Sequence, residues 1–283
     1  MRLVSFDDYR IGVLTDAGVV DVTDVVPDVP APLKSSRMLL LIEDWDTLEA
    51  KVKTAAGKGK PVPLDSVRLL APVPAPRKVY AQPTNYRAHV EEMKDSPFAH
   101  GGEAVPADLG MFLKATSAVV GPADTIILPF PDRPIHHESE LVMVMGKRGG
   151  SIPVEKALEY VFGYTCGLDM TVRGKEDRSK RKSYDTFAPI GPWLVTADEI
   201  PDPADLEITL WVNEEQRQHA FTKDMIVDCP NMIANMSWVA TMEPGDLIFT
   251  GTPDGVGPVV DGDLVTINIT KIGDLALRAK ARE

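Results

Sequence analysis

The chain of 283 residues is poor in cysteine, in long apolar runs and in clustered positive charge. Its two cysteines, Cys166 and Cys229, make neither a disulfide framework nor a CxxC pair. No apolar stretch approaches the roughly 18 residues of a membrane-spanning helix. The first residues, "MRLVSFDDYRIGVL", lack the apolar core and small-residue cleavage site of a signal peptide. These absences predict a soluble, cytoplasmic protein in a reducing compartment.

The charge balance excludes a second group of functions. The formal net charge is −12, and "RSKRK" is the one basic cluster. Such a surface disfavours nucleic acid and anionic membrane as main partners. A hydrophobic content of 44% is enough for a real core and for one or two domains.

Short strands and turns dominate the sequence pattern. "RLVSF", "RIGVLT" and "GVVDVT" alternate like strands, and residues 33–57 look helical, before a proline-rich segment over residues 60–78. We therefore predict a small N-terminal α/β domain over residues 1–72 and a larger domain over residues 73–283. The larger part predicts a mainly β, α+β fold, with helices expected over residues 85–94, 154–161 and 229–242.

The stretch "HHESELVMVMGKRG" contains the clearest chemical signal. Its apolar run predicts a buried strand, yet Glu138 and Glu140 stand at its head. Residues two apart on a strand share a face, so the two Cα atoms lie about 6.5–7 Å apart. Two partly buried carboxylates repel each other, and either one protonates or a cation sits between them. The alternative is that both point into solvent at the strand entrance.

A third carboxylate, Asp169, ends the apolar segment "VFGYTCGLDM". Three carboxylates without a cysteine or histidine cluster would form an all-oxygen site, which suits Mg²⁺, Mn²⁺ or Ca²⁺ and disfavours zinc. The sequence leaves open that Asp169 is only a turn or cap residue. If the three converge, they form a cation site that is costly without its metal.

Three further segments are candidates for chemistry. In "NYRAHVEEMK", His89 and Glu92 are neighbours on one helix face and could form a general base, or a solvated surface pair. Lys182 ends a charged run and could reach an anionic oxygen in a cleft, or be one more solvated cation. Thr252 lies in the turn of "PGDLIFTGTPDGVG", whose N–H groups and hydroxyl could cradle a carboxylate.

Taken together, the motifs resemble the fumarylacetoacetate hydrolase superfamily, in a bacterial form with a small N-terminal domain. The matching segments, in the family's order, are "NYRAHVEE", "FLKATSAVVGP", "HHESELVMVMGK", "VFGYTCGLDMTVR", "KSYDTFAPIGPWLVTADEI", "PADLEITLWVN" and "MEPGDLIFTGTPDGVG". The resemblance implies a mixed β-sandwich roll and a homodimer. It covers nearly everything from about residue 78 onward.

The resemblance also implies roles for single residues. By match to the family pattern, Glu138, Glu140 and Asp169 are the ligands of Mg²⁺ (or Mn²⁺, with Ca²⁺ possible). His89 with Glu92 matches a water-activating dyad on a lid helix. Lys182 matches a lysine that polarises the substrate carbonyl, and Thr252 matches a threonine that holds the substrate carboxylate.

The implied reaction is hydrolysis of a C–C bond in a small 2,4-dioxo acid such as an acylpyruvate or fumarylacetoacetate. Decarboxylation or isomerisation of an oxaloacetate-like 2-oxo acid on the same site is the alternative. A catalytically silent, metal-binding member of the family is a more remote one.

One departure from the family concerns Glu176, seven residues after Asp169, where the family often has glutamine. An ionised glutamate cannot donate a hydrogen bond to an oxyanion. Glu176 is therefore protonated, accepts from a substrate hydroxyl, or lies in a differently arranged loop. The remaining substrate contacts are expected from the segment "KDSPFAHGGEAVPADLG", whose composition is typical of a mobile connection.

Overall fold

The structure is a computed structural model that describes residues 1–94 and 110–282. Of the segment expected to line the distal part of the pocket, residues 94–110, all but Lys94 and Gly110 lie outside the described residues. Among the described helices, none is long and apolar enough to cross a membrane.

The three strands predicted at the N-terminus are present: β1 (Arg2–Phe6), β2 (Arg10–Thr15) and β3 (Gly18–Asp21). They form an antiparallel meander, in which Leu3 pairs with Val13 and Val13 with Val20. Both faces of the meander are covered, since Leu3 and Val13 belong to the main core and Val4, Phe6 and Val19 form a second apolar cluster.

The single helix predicted over residues 33–57 is two helices. A 3₁₀ turn, Ala31–Ser36, leads into α1 (Arg37–Glu43), and α2 (Trp45–Lys58) follows after Asp44. Asp44 has φ −102° and ψ 19°, outside the helical region, and its carbonyl accepts the first bonds of α2 from Thr47 and Leu48. The break lets α1 bury Leu41 and Ile42 while α2 buries Leu48 and Val52.

The remaining helices are α3 (Arg87–Lys94), α4 (Arg178–Arg181) and α5 (Cys229–Val239). Of the predicted helices, the one over residues 154–161 is instead a 3₁₀ helix, Val154–Tyr160. The remaining strands are β4 (Val79–Ala81), β5 (Phe112–Lys114), β6 (Val119–Val120), β7 (Ile126–Leu128), β8 (Ile135–His137), β9 (Ser139–Met145), β10 (Val161–Leu168), β11 (Thr171–Val172), β12 (Ala188–Thr196), β13 (Glu207–Val212), β14 (Glu215–Phe221), β15 (Leu247–Phe249), β16 (Gly257–Pro258), β17 (Leu264–Ile269) and β18 (Gly273–Ala281).

The described strands form three sheets, and the largest one runs through both parts of the chain. Its ten strands follow the order β3-β2-β1-β12-β10-β9-β15-β4-β5, with β6 paired to β12. The N-terminal meander joins this sheet where Arg2 pairs with Val195 and Leu3 with Leu194. The first three strands therefore extend the sheet of the larger part, and the domain boundary near residue 72 stays a prediction.

The other two sheets cover the large one. A five-stranded sheet has the order β14-β13-β17-β18-β7, and a three-stranded sheet has the order β11-β8-β16. One continuous core of buried apolar side chains lies between them. This is the mixed, mainly β, α+β architecture expected from the sequence.

Strand β9 lies at the centre of the large sheet, between β10 and β15, and every one of its residues is buried. Its run Leu141–Met145 is fully excluded from solvent. Each such apolar side chain stabilises the fold by about 1.5–3 kcal/mol relative to exposure. The apolar run thus fixes the strand firmly, and with it the two glutamates at its head.

A parallel pairing brings two distant segments to one edge of this sheet. β15 pairs in parallel with β4, with Leu247 opposite Val79 and Phe249 opposite Ala81. Parallel strands end at the same edge. The chain after β4, which leads into α3, therefore lies beside the turn after β15, which contains Thr252.

Candidate active site

Three buried carboxylates converge at the head of β9. Glu138 and Glu140 flank Ser139, and Asp169 directly follows β10, whose residue Leu168 pairs with Ser139. The backbone N–H of Asp169 donates to the carbonyl oxygen of Glu138 over 2.9 Å. One carboxylate oxygen from each side chain lies within 4.8 Å of the other two. The alternative left open by the sequence, in which both glutamates point into solvent at the strand entrance, is therefore wrong.

Two buried lysines bind the carboxylates. The ammonium group of Lys182, at the end of α4, donates to Glu138 Oε2 over 2.6 Å and to Asp169 Oδ2 over 2.5 Å, and also to the hydroxyl of Thr171. Lys114, at the end of β5, donates to Asp169 Oδ1 and to the carbonyl of Lys182, both over 2.5 Å. Lys182 is thus a buried member of the cluster and not a solvated cation.

The neighbouring positive charges act differently on the pKa values of Glu138 and Glu140. Burial acts to raise the pKa of Glu138, but Lys182 and Arg173, whose Nη2 is 3.0 Å from Glu138 Oε1, outweigh it and hold that pKa well below its usual range. Burial likewise acts to lower the pKa of Lys182, yet the charges of Asp169 and Glu138 raise it above its ordinary value. Glu138 is therefore ionised and Lys182 charged.

For Glu140 the compensation by Lys182 and by a backbone amide is too weak to offset burial. Burial and, next, the charge of Asp169 raise its pKa well above the usual range. Its Oε2 accepts a hydrogen bond of 2.7 Å from the backbone N–H of Gly251. Gly251 has φ +92°, and a Cβ atom there would lie 2.5 Å from the Cβ of Asn85. Only glycine can place its amide so close to Glu140 in this turn.

The donor set fits a hard divalent cation. All three convergent groups are carboxylates, which is the ligand type of Mg²⁺ and Mn²⁺. The raised pKa of Glu140 shows that the described charges leave this carboxylate short of positive partners. A cation among the three carboxylates would supply that charge.

The predicted dyad forms on α3. Nδ1 of His89 is 2.8 Å from Glu92 Oε2, and Glu92 Oε1 accepts from the backbone N–H of Gly255 over 3.0 Å. Since an ionised carboxylate only accepts, Nδ1 carries the proton and Nε2 is the basic nitrogen. His89 is buried and lies close enough to Glu138 that an imidazolium there would lower the pKa of this carboxyl. The pair is therefore beside the carboxylates rather than on a solvated surface.

The turn with Thr252 is built into the same region. Asn85, just before α3, donates to the carbonyl of Thr250 over 2.8 Å and ties the turn to the start of the helix. Thr252 is buried, and its Oγ1 accepts from Nε2 of Gln218 over 2.9 Å.

Glu176 lies in an ion pair with Arg133. Its Oε1 is 2.9 Å from Nη1 of Arg133, and its Oε2 accepts from Nη2 over 2.9 Å. The hydrogen bond from Arg133 lowers the pKa of Glu176. Of the three possibilities that the sequence left open, this arrangement argues against protonation and favours a rearranged loop.

Several functional candidates were missed by sequence reasoning. Lys114 and Arg173 bind the carboxylates, and Gln218 binds the Thr252 turn. Lys114 had one usable signal, a lysine that ends the apolar pair Phe112-Leu113, and Arg173 had its closeness to Asp169. Gln218 had none, since it lies in the polar segment "EQRQHAF".

Comparisons with known proteins agree with this geometry. Residues 78–279 match the family model described as fumarylacetoacetate (FAA) hydrolase C-terminal. A maleylpyruvate hydrolase of Aquipseudomonas alcaligenes is 41% identical over 99% of this chain and 100% of its own. The crystal structure of maleylpyruvate hydrolase from Sphingobium sp. SYK-6, in complex with manganese (II) ion and pyruvate, superposes with a TM-score of 0.89 at 43% identity and covers 100% of both chains.

A relative with a different name is also similar. The mitochondrial oxaloacetate tautomerase Fahd2a of Rattus norvegicus is 34% identical over 96% of this chain and 90% of its own. The resemblance noted in the sequence is confirmed by these matches. The chain belongs to the fumarylacetoacetate hydrolase family.

Proposed function

We propose that the protein is a divalent-metal-dependent hydrolase that cleaves the C–C bond of an acylpyruvate, a 2,4-dioxo acid of the maleylpyruvate type. The observation that carries this proposal is the oriented base beside the carboxylates, His89 held by Glu92 and, through it, by Gly255. Hydrolysis needs an activated water, whereas decarboxylation and tautomerisation do not. Full-length similarity to two maleylpyruvate hydrolases supports the same substrate class.

Glu138, Glu140 and Asp169 would hold the metal, for which Mg²⁺ or Mn²⁺ is the best match to an all-oxygen donor set. When bound, the cation supplies Lewis-acid stabilisation of negative charge on substrate oxygens. The Mn²⁺ in the Sphingobium structure supports this assignment.

The residues of the chain provide the remaining steps. Nε2 of His89 takes a proton from water, and Glu92 stabilises the imidazolium that forms. The hydroxide oxygen joins the distal carbonyl carbon, and the charged ammonium of Lys182 stabilises the developing oxyanion. The C–C bond then breaks, and its electron pair leaves with the pyruvate half as an enolate. Proton return from His89 gives pyruvate and a second acid.

Thr252 and the neighbouring N–H groups of its turn would hold the substrate carboxylate. Glu176 would act through Arg133 to hold the loop after Asp169, and its pairing favours this role over direct binding of substrate. The homodimer and the cytoplasmic location expected from the sequence stay predictions.

A second candidate is tautomerisation or decarboxylation of an oxaloacetate-like acid. The similarity to the rat tautomerase favours it. Either reaction would use the same carboxylates and lysine, and would need the dyad only as a proton carrier.

The test is a substrate panel with the purified protein and Mn²⁺ or Mg²⁺. Maleylpyruvate and other 2,4-dioxo acids are compared with oxaloacetate, and loss of enol absorbance and release of pyruvate are followed. We expect pyruvate to be released from dioxo acids and only in the presence of metal. Conversion of oxaloacetate with every dioxo acid left intact would overturn the proposal in favour of the second candidate.

A further inference from the structure

Gln218 is the one fully buried polar side chain of an otherwise exposed strand. It is 1% exposed in β14, whereas its neighbours Gln216 and His219 are exposed. The pairing of β14 with β13 shifts here, because Leu210 pairs with Gln218 while the next residue, Trp211, pairs with Gln216. Such a bulge re-aims a side chain. Gln218 faces inward because it lies opposite the buried Leu210, and the bulge at Arg217 places Gln216 on the other, exposed face.

The nitrogen of this amide binds the turn that contains Thr252. Nε2 donates to Oγ1 of Thr252 and to the carbonyl of Pro253, both over 2.9 Å, and lies 3.3 Å from the carbonyl of Asp254. Carbonyl oxygens only accept, so the NH₂ end must face the turn. Oγ1 of Thr252 therefore accepts from Gln218, and its own proton stays available for another acceptor.

The oxygen of the amide binds the head of β9. Oε1 accepts from the backbone N–H of Ser139 over 3.0 Å and faces Nδ1 of His137 at 3.3 Å. Ser139 is the residue between Glu138 and Glu140. One side chain thus connects the two carboxylates of the candidate metal site with the candidate carboxylate-binding turn.

We propose that Gln218 is a positioning residue for the reaction. It directs the hydroxyl proton of Thr252 toward the substrate carboxylate, and it fixes the Ser139 amide so that the flanking carboxylates keep their spacing. The proposal rests on the proposed function for the identity of the bound acid. Its two halves correspond to the two ends of one amide and can be tested separately.

The first variant, Gln218→Glu, separates the two ends. One oxygen of the introduced carboxylate can still accept a hydrogen bond from the Ser139 amide. The other oxygen takes the place of the NH₂ group opposite Thr252, so an acceptor stands where a donor stood. The hydroxyl of Thr252 then donates to this carboxylate instead of to the substrate. We expect KM and the Kd of pyruvate for the Mn²⁺-loaded protein to rise at least about tenfold, with a much smaller change in kcat. Mn²⁺ affinity should not weaken.

The second variant, Gln218→Met, removes both ends at similar length. We expect the same loss of pyruvate affinity and, in addition, weaker Mn²⁺ binding and at least about tenfold faster hydrogen exchange at the Ser139 amide.

Gln216→Glu is the matched control, since it makes the same change as Q218E on the exposed face of the same strand. It should alter none of these quantities.

A double-mutant cycle with Thr252→Val decides whether Gln218 acts through the Thr252 hydroxyl. If it does, Q218E weakens pyruvate binding in the wild type but adds almost nothing in T252V. Independent, multiplying losses would overturn this half of the proposal, as would an unchanged pyruvate Kd in a folded Q218E protein.

The remaining outcomes are also decisive. If Q218E and Q218M both fail to fold, the amide serves the fold as a whole and the positioning role is overturned. If the wild type binds neither pyruvate nor oxalate with Mn²⁺, the proposed function fails, while hydrogen exchange at Ser139 still tests the tether. An unchanged rate of hydrogen exchange at the Ser139 amide in Q218M would overturn the proposal that Gln218 fixes this amide.

Discussion

The two glutamates of the candidate metal site should respond in opposite ways when each is neutralised in the metal-free protein. Glu138 is bound by Lys182 at 2.6 Å and by Arg173 at 3.0 Å, so Glu138→Gln leaves the buried Arg173 without this anion and leaves Lys182 with Asp169 as its remaining carboxylate partner. Breaking a buried ion pair from one side costs about 3–5 kcal/mol. For a chain of 283 residues, whose unfolding entropy is about 0.6 kcal/mol/K, that lowers Tm by about 5–8 °C.

Glu140→Gln should do the reverse. The nearest carboxylate oxygens of Glu140 and Asp169 lie within 4.8 Å, which at an effective dielectric constant of 20 corresponds to a repulsion of about 3.5 kcal/mol. The lysines offset part of it, and the amide oxygen of glutamine can still accept from Gly251. We expect a net gain on the order of 1–2 kcal/mol and a higher Tm.

The assay is thermal and urea unfolding of chelator-treated protein at pH 7, repeated with Mn²⁺. Glu159→Gln is the control, because Glu159 is an exposed glutamate away from the cluster. Both site variants should lose Mn²⁺ stabilisation and turnover, and the control should lose neither. Shifts of the same sign in E138Q and E140Q without metal would refute the conclusion that neighbouring cations compensate Glu138 but not Glu140.

Three further results are expected. His89→Ala should lower kcat for dioxo-acid cleavage by about 10²–10⁴-fold, and it should affect oxaloacetate conversion far less if that reaction occurs; equal losses for both substrates would contradict the role of His89 in activating water. Mn²⁺ with oxalate should raise Tm more than either ligand alone, because oxalate at 100 times its Kd adds about 2.7 kcal/mol to the free energy of unfolding. Tm shifts of the two ligands that simply add would argue against a shared site. The pKa of Glu140 is raised on folding, so its contribution to stability is full below the unfolded pKa of about 4.3 and is lost as pH rises through the folded pKa. The metal-free protein should therefore become less stable as the pH rises above about 4.3, and E140Q should flatten this pH dependence.

The sequence predicted the parts of the fold that rest on local periodicity. The N-terminal strands, β9 and β10 follow from apolar patterns, and the carboxylate pair at the head of β9 follows from the spacing of two residues. The helix over residues 33–57 was predicted without its break, because Asp44 interrupts an otherwise helical pattern and only packing against the sheet shows which side each half must bury.

The parts that sequence reasoning missed depend on long-range pairing. Gln218 stands in a polar strand and faces inward because it pairs with the buried Leu210 of β13, and Lys114 reaches Asp169 across 55 residues. The sequence also treated Glu138 and Glu140 as equivalent liabilities. The structure separates them, because Arg173 and Lys182 contact Glu138 directly, whereas the hydrogen bond described for Glu140 comes from the Gly251 amide and Lys182 acts on it only through its charge.

The hydrogen bond between Gly255 and Glu92 has a consequence for the biosynthesis of the enzyme. Its partners are 163 residues apart, and at 5–20 residues per second the ribosome needs about 10–30 s to add the second after the first. In the later part of that interval the nascent chain contains the three carboxylates and His89, but not yet the Gly255 amide that binds Oε1 of Glu92. A chain that ends before Gly251 would therefore hold the complete set of predicted catalytic side chains except Thr252 and still lack an aligned base. The aligned base is therefore acquired only after Gly255 has been added to the chain.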